Sequence, residues 1–569
     1  MVAMNRVESL WFDDQLKSVL MFSFELFKVA SGGGLGTAVY GLSTALARAG
    51  VKTTVIMPSH GRHLSDPHRS SLGLREIDVK VYGVRRGENG AHYRYAIGAE
   101  AGRLDGVEVI LVKGLDYETG RILDSWGVYD WSLEKSALFA RVAPALVQYL
   151  LNRREIPSLI HIHDWHSVLA GTASKYELEV RRVIVPTVFT VHLLNKVGVP
   201  WHYASEEWAG LQNCPHYIWS VSKHVLKRTK EVWDELSAGF IERFGAYEAD
   251  LLTSVSSNYL REVIEFVGYW AENKSCVTYD GTDWNLEEVE RLAEGVGIRD
   301  RAQLRTRLLS SLPSMKVVPE DFSTGSILWQ HKGALGIRDD WTYEPLAPGQ
   351  LVLFTGRVVY QKGLDLLLKS FKRVVNRVPD ARLVVLGIPG KEYDLLREVV
   401  NDASALPNNV RLLLSSSIDR ATYKLFHYAA SVFVSSSRWE PFGINVIEAM
   451  AVGTPVVGYR VGGVAETVVD LRYNADGTGL LARPESVEEL ADYLSSALLL
   501  SKAAEESNME TLRTQSVVST DDVRLWLKIR QNAINRVRQN FTWDAARDRV
   551  LECYKKGAEM ARYRTMASF

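Results

Sequence analysis

Residues 24–37 read FELFKVASGGGLGT, and Gly32, Gly33, Gly34 and Gly36 leave four of the five positions 32–36 without a side chain. The apolar run 19–24 has the composition of a buried strand, and 38–49 carries the apolar spacing of a helix. Strand, glycine loop and helix together form an arrangement that cradles phosphate on helix N-terminal amides. The loop fits neither the dinucleotide fingerprint, with glycines at offsets zero, two and five, nor the P-loop with its Gly-Lys-Ser/Thr ending. It predicts a close approach to backbone at a strand end and leaves the ligand to be read from the rest of the chain.

Outward from this loop, short apolar strands alternate with helical stretches. The predicted strands are 52–57, 107–112, 159–163, 183–191 and 251–255 in the first half, then 351–355, 381–386, 410–414, 432–435 and 455–459 in the second. Such alternation builds parallel sheets covered by helices on both faces. The chain has 569 residues, too many for one ordinary core, so two doubly wound α/β domains are expected, with the site in the cleft between them, beyond the carboxyl ends of the strands. The predicted division is 1–278, an acceptor-side domain; 279–540, a nucleotide-sugar domain with an insertion near 285–349; and 541–569, a helix whose apolar face of Ala546, Val550, Cys553 and Tyr554 packs back on the first domain. The stretch 502–522 reads as a surface excursion.

A formal net charge of −1 lacks the basic excess of a nucleic-acid binder. Residues 1–15 contain Glu8, Asp13 and Asp14 and no long apolar core, and no apolar run approaches the ~20 residues of a membrane span. Three cysteines, Cys214, Cys276 and Cys553, fit neither a disulfide framework nor a zinc site. These features predict a cytoplasmic protein of a reducing compartment, with no membrane or nucleic-acid partner.

The polar residues after the strands carry the chemistry. LIHIHDWHSVLAG ends a strand with His161, His163, Asp164 and His166. Alternation puts His161 and His163 on one face and His166 beyond the turn, which argues against a metal triad. A neutral imidazole able to bond a sugar hydroxyl is the better reading. VFTVHLL places His192 at a second strand end. In LVLFTGRVVYQKGLDLLL, Arg357 and Lys362 flank a strand end and a helix start, where two cations and a helix dipole would hold a diphosphate. VFVSSSRWEPFGINVIEAM sets Glu440 in a loop and Glu448 in a helix, one suited to positive charge and sugar hydroxyls, the other to a ribose. GTPVVGYRVGGVAETV adds a strand, Gly462 and Gly463, and a helix start at Val464 to Thr467. No Asp-x-Asp pair is present, so the leaving-group charge is assigned to cations and amides and no metal or other cofactor is expected.

With these motifs on the page the chain resembles the glycogen and starch synthases, retaining glucosyltransferases of the GT-B fold, over nearly its whole length. SGGGLG is similar to that family's lysine-plus-glycine loop, HIHDWHSVLAG to its HxHDWH segment, FTVHLL to its FTxHN segment and YDGTDW to its NGID segment. FTGRVVYQKGLDLL is similar to its GRxxxQKG loop, SSRWEPFGINVIEAM to its E-x7-E element and RVGGVAETV to its TGGL loop. The resemblance implies transfer of glucose from ADP-glucose or UDP-glucose to the non-reducing 4-hydroxyl of an α-1,4-glucan, with retention. It implies that Arg357 and Lys362 bind the diphosphate, that Glu440 and His163 face the transferred glucose, and that Glu448 meets the ribose. Implied substrate contacts extend to Lys28, Gly33, Gly34, His192, Asp280, Phe442, Gly443, Gly462, Gly463, Val464 and Thr467. Two departures stand out. Ser31 occupies the place of the family's lysine, with Lys28 three residues earlier, and Asp280 replaces the Asn of NGID.

Overall fold

The computed structural model describes residues 16–220, 223–415, 418–508, 510–511, 517–520 and 522–567. The acidic positions Glu8, Asp13 and Asp14, and parts of the excursion read at 502–522, lie outside them. The chain divides into two compact units, Met1–Gly281 with Trp543–Phe569, and Thr282–Thr542. Asp280 therefore belongs to the first unit.

In the first unit the strands are Ser18–Phe22 (β1), Lys52–Pro58 (β2), Arg75–Arg86 (β3), His92–Leu104 (β4), Val107–Gly114 (β5), Leu159–His163 (β6), Thr187–Val191 (β7), Pro215–Ser220 (β8), Lys223–Arg228 (β9), Leu251–Ser254 (β10) and Ser275–Val277 (β11). Among the described residues nine of them form one sheet in the order β11-β10-β7-β6-β1-β2-β5-β4-β3, while β8 and β9 pair as a separate hairpin. The centre is parallel, with Val19 opposite Leu159 and Ile160 opposite Thr187. β6 and β7 are buried along their whole length, which is why they carry no Lys, Arg, Asp or Glu. The β3–β4–β5 side is antiparallel. The edge strand β3 alternates charged and apolar residues and is largely exposed, so it carries none of the signal of a buried parallel strand.

The second unit contains Gln350–Val358 (β12), Ala381–Pro389 (β13), Val410–Leu414 (β14), Val432–Ser435 (β15), Val456–Tyr459 (β16) and Gly479–Ala482 (β17). They form a parallel sheet in the order β14-β13-β12-β15-β16-β17 among the described residues. The order reverses beside β12, and at such a switch point the loops after β12 and β15 splay apart to leave room for a ligand. The insertion read at 285–349 is helical, with Leu286–Gly295, Arg301–Ser311 and Phe322–Gln330. Arg301 reaches back from it to donate to the carbonyls of Ala430, Val452 and Gly453.

The last helix, Trp543–Ala567, belongs to the first unit. Ala546, Val550, Cys553 and Tyr554 are each buried. At its start Trp543 lies on the helix Gly34–Arg48 at Gly41, where an added Cβ would fall 1.9 Å from the indole. The expectation of three unpaired cysteines is corrected here: Cys276 on β11 and Cys553 on this helix form a disulfide, and Cys214 is the unpaired one. Their separation of 277 residues hid the pairing, because only the return of the chain to the first sheet brings them together. No helix among the described residues is long and apolar enough to cross a membrane.

Candidate active site

In the first unit the chemistry gathers at the carboxyl ends of β1, β6 and β7. His163 closes β6, and Asp164 after it takes φ 57°, a left-handed conformation unusual for a side-chain-bearing residue. The strain turns the carboxylate so that it accepts the amides of His192 at 2.6 Å and Leu193 at 3.1 Å, locking together the ends of β6 and β7. His163 Nδ1 stands 3.0 Å from His192 Nε2. Its Nε2 is buried without a hydrogen-bond partner among the described residues. Burial, together with His161 and His192, holds His163 well below the usual imidazole range, and burial brings His192 down to about 3. These rings are neutral at physiological pH, each with one donor and one acceptor nitrogen. Burial lifts Asp164 to about 7, and burial followed by the charge of Asp164 lifts Asp280 to about 8. Asp280 thus carries a proton at neutral pH and presents an O–H at the position where the resembled family has an amide N–H.

The glycine loop already holds an anion, and it comes from the chain itself. Glu25 Oε2 accepts the amides of Gly32 at 2.8 Å, Gly33 at 3.0 Å and Gly36 at 3.2 Å, plus the hydroxyl of Ser31 at 3.0 Å. Tyr129 donates its hydroxyl to the other oxygen. The Gly33 amide, read as a substrate contact, donates to Glu25 here. Gly34 is the first residue of the helix Gly34–Arg48. Lys28 is directed elsewhere, forming an ion pair with Asp105 at 2.8 Å and lying over the Tyr40 ring. Glu25 lies within the glycine-loop segment, yet its acceptor role has no sequence signal, because only the fold points four donors of the loop and the Tyr129 hydroxyl at it.

In the second unit the loops after β12 and β15 converge. Lys362 Nζ donates to Glu440 Oε2 at 2.5 Å, and Ser437 Oγ donates to the same oxygen at 2.8 Å. Arg357 is exposed at the end of β12 and makes no hydrogen bond or ion pair among the described residues. An added Cβ on Gly356 would lie 3.9 Å from the Lys362 stem. A strand end carrying one unpartnered cation beside a second, paired to a carboxylate, can exchange that carboxylate for an arriving phosphate. The turn Tyr360–Lys362 is held from below by Arg438, which donates to both oxygens of Asp365 at 2.9 and 2.7 Å, donates to the Tyr360 carbonyl, and lies 3.8 Å over the Tyr360 ring. Arg438 and Asp365 were passed over in the sequence because their pairing spans 73 residues.

Gly462 and Gly463 serve this loop directly. Gly462 has φ 40°, and a Cβ there would sit 2.0 Å from the Glu440 carbonyl; one on Gly463 would sit 2.3 Å from Phe442 Cα. The Gly463 amide donates to the Glu440 carbonyl at 2.9 Å. In this structure the two glycines, read as phosphate donors, let the β16 loop press against the Glu440 loop and fix it. Phe442, Val464 and Thr467 have buried side chains, so any ligand contact from them comes from backbone. Gly443 has φ 93° and caps the helix Ile444–Ala451. On that helix half-buried Glu448 is lifted to about 8 by burial, with Arg420 and Asp283 nearby acting in opposite directions. Among the described residues no group of three His, Cys, Asp or Glu side chains could hold a metal ion.

The description "Starch synthase catalytic domain" matches residues 18–273, and "Glycosyl transferases group 1" matches residues 344–511. A glycogen synthase of Bordetella petrii is 26% identical over 479 residues, covering 80% of this chain and 79% of its own. One of Dechloromonas aromatica is 26% identical over 556 residues, covering 95% and 98%. Among solved structures, the catalytic domain of starch synthase IV from Arabidopsis thaliana bound to ADP and acarbose superposes with TM-score 0.67 at 19% identity, covering 96% of this chain and 99% of that one. Sucrose-phosphate synthase from Thermosynechococcus elongatus gives TM-score 0.52 at 17% identity, covering 95% and 98%. Two Rossmann-like units with these matches define a GT-B glycosyltransferase, an enzyme that moves hexosyl groups. Within that class the chain is most similar, among these matches, to the glycogen and starch synthases.

Proposed function

We propose that this enzyme transfers glucose from ADP-glucose or UDP-glucose to the non-reducing 4-hydroxyl of an α-1,4-glucan with retention of configuration. The observation that carries the reading is the pairing of Lys362 with Glu440 beside exposed Arg357. Cleaving the sugar–phosphate bond puts negative charge on the departing diphosphate and positive charge on the sugar ring. Arg357 and Lys362 neutralise the first, and Glu440, released from Lys362 as the phosphate arrives, stabilises the second. Glu448 accepts hydrogen bonds from the ribose, in its ionised form once Arg420 and the donor are in place. In the first unit, His163 Nε2 and the protonated carboxyl of Asp280 bond neutral sugar hydroxyls, a role that fits the neutrality of both groups.

Because Glu25 fills the glycine loop, the anionic donor is assigned to the second unit's cations. The resembled family's use of Arg and Lys without an Asp-x-Asp pair supports chemistry that needs no metal. A charged donor does not cross a lipid bilayer unaided, so we place the enzyme with its donor in the cytoplasm. The test is incubation of the purified protein with each nucleotide-glucose and a maltooligosaccharide, with and without EDTA. Lengthened chains in both arms support the proposal; an absolute magnesium requirement overturns its metal-free part, and no transfer from either donor overturns the whole.

A further inference from the structure

His161 lies one strand position pair before His163, on the same face of β6, and its ring centroid is 4.0 Å from that of His163. Both His161 nitrogens are occupied. Nε2 stands 2.6 Å from Thr190 Oγ1, which stands 2.5 Å from Thr253 Oγ1, and Nδ1 stands 2.8 Å from the hydroxyl of Tyr554. Tyr554 is 1% exposed; its phenol crosses the His161 ring edge-on at 89°. Burial, aided by His192, keeps His161 neutral at about 3, so one nitrogen donates and the other accepts. Among the described residues the Tyr554 hydroxyl has no acceptor other than His161 Nδ1, so it donates there and Nε2–H donates to Thr190 Oγ1; the reverse tautomer would leave the buried phenol O–H unsatisfied.

The helix carrying Tyr554 is itself pinned. The Cys276–Cys553 disulfide joins the adjacent residue to β11, and Lys556 Nζ donates to the Ser275 carbonyl at 2.8 Å one turn of chain away. The hydroxyl of Tyr554 therefore arrives under β6 with a fixed position. Tyr554 brings a buried hydroxyl from this helix to the ring against which His163 lies.

We propose that Tyr554 is a positioning residue for glucosyl transfer, holding His161 in one orientation and so fixing the plane of His163. The proposal rests on the reading that His163 bonds a sugar hydroxyl. The orientation of His163 Nε2 depends on that plane, and a misplacement on the scale of 1 Å costs up to about 10²-fold in rate.

The test measures kcat and KM for donor and glucan in Tyr554→Phe, His161→Gln, the double variant and His163→Ala, alongside 15N spectra of the histidine rings in the native enzyme. Tyr554→Phe keeps the ring and its packing. It is expected to lower kcat about tenfold with KM for the donor within about twofold, because the loss acts on orientation and not on uniform binding. The double variant is expected to cost no more in kcat than His161→Gln alone, since the hydroxyl acts through that ring. The native spectra are expected to show His161 in a single tautomer. Additive losses in the double variant, an unchanged kcat in Tyr554→Phe, or two exchanging His161 tautomers in the native enzyme would each overturn the positioning role. A His163→Ala variant with unchanged kcat would overturn the underlying reading of His163 instead, which keeps the two failures apart.

Discussion

Replacing Lys362 by methionine tests the catalytic pair most sharply, because the structure gives separate magnitudes for stability and for rate. The Lys362 side chain is 18% exposed and that of Glu440 8%, so the ammonium sits at the rim and the carboxylate inside. Methionine preserves most of the aliphatic stem and removes the charge. Glu440 Oε2 then keeps only the Ser437 hydroxyl at 2.8 Å, and a half-satisfied buried carboxylate costs about 1–3 kcal/mol. For a unit of this size that lowers Tm by roughly 2 to 10 °C. The rate effect is larger, since removing a preorganised charge from a developing anion costs about 10²- to 10³-fold in kcat. A Lys362→Met/Glu440→Gln double variant separates the two effects. With both charges gone and an amide still able to accept from Ser437, stability should return to within about 1 kcal/mol of the native enzyme, while kcat stays lost. The assays are differential scanning fluorimetry and initial rates of nucleoside diphosphate release at saturating maltooligosaccharide. A single variant retaining more than a tenth of native kcat, or a double variant no more stable than the single one, would refute the reasoning.

Three other outcomes follow from the first unit. Asp280, lifted to about 8, keeps in the folded state a proton that the unfolded chain gives up in the ordinary carboxylate range, so its contribution to stability falls as pH rises from that range to about 8, where its O–H donor is lost as well. Asp280→Asn should keep the donor and flatten the alkaline fall in kcat/KM, and an unaltered pH profile would count against that role. Thiol titration under denaturing, non-reducing conditions should find one reactive cysteine per chain and three after reduction; the Cys553→Ser variant should lose about 2–4 kcal/mol of stability, read from denaturant midpoints, and three thiols without reduction would contradict the pairing. Gly41→Ala places a methyl against the Trp543 indole and should cost about 1–3 kcal/mol through overpacking; an unshifted melting curve would show that the terminal helix yields freely there.

What the sequence disclosed, and what it hid, divides along physical lines. Buried parallel strands such as β6 and β15 carry no Lys, Arg, Asp or Glu, so composition marks them, and polar residues at or just after their ends stand out as candidates. His163, Glu440 and Lys362 were found that way. The exposed strand β3 and its partner β4 lack that contrast and vanish into loop-like charge patterns. The contents of the glycine loop were hidden for another reason. Four glycines announce that backbone amides converge, but they do not say on what, and here the answer is Glu25 from the same segment. Long-range pairings escape altogether: Arg438 with Asp365, Cys276 with Cys553, and Tyr554 with His161 join residues whose neighbourhood in sequence gives no hint of the partner.

The most direct measurement is a proton NMR time course of nucleotide-glucose with a short maltooligosaccharide and the enzyme, following the anomeric signals as they form. The account predicts a new α-1,4 linkage at the non-reducing end from the first time point, with one nucleoside diphosphate released per glucose added. A β linkage, or release of free glucose with no lengthening of the glucan, would contradict it.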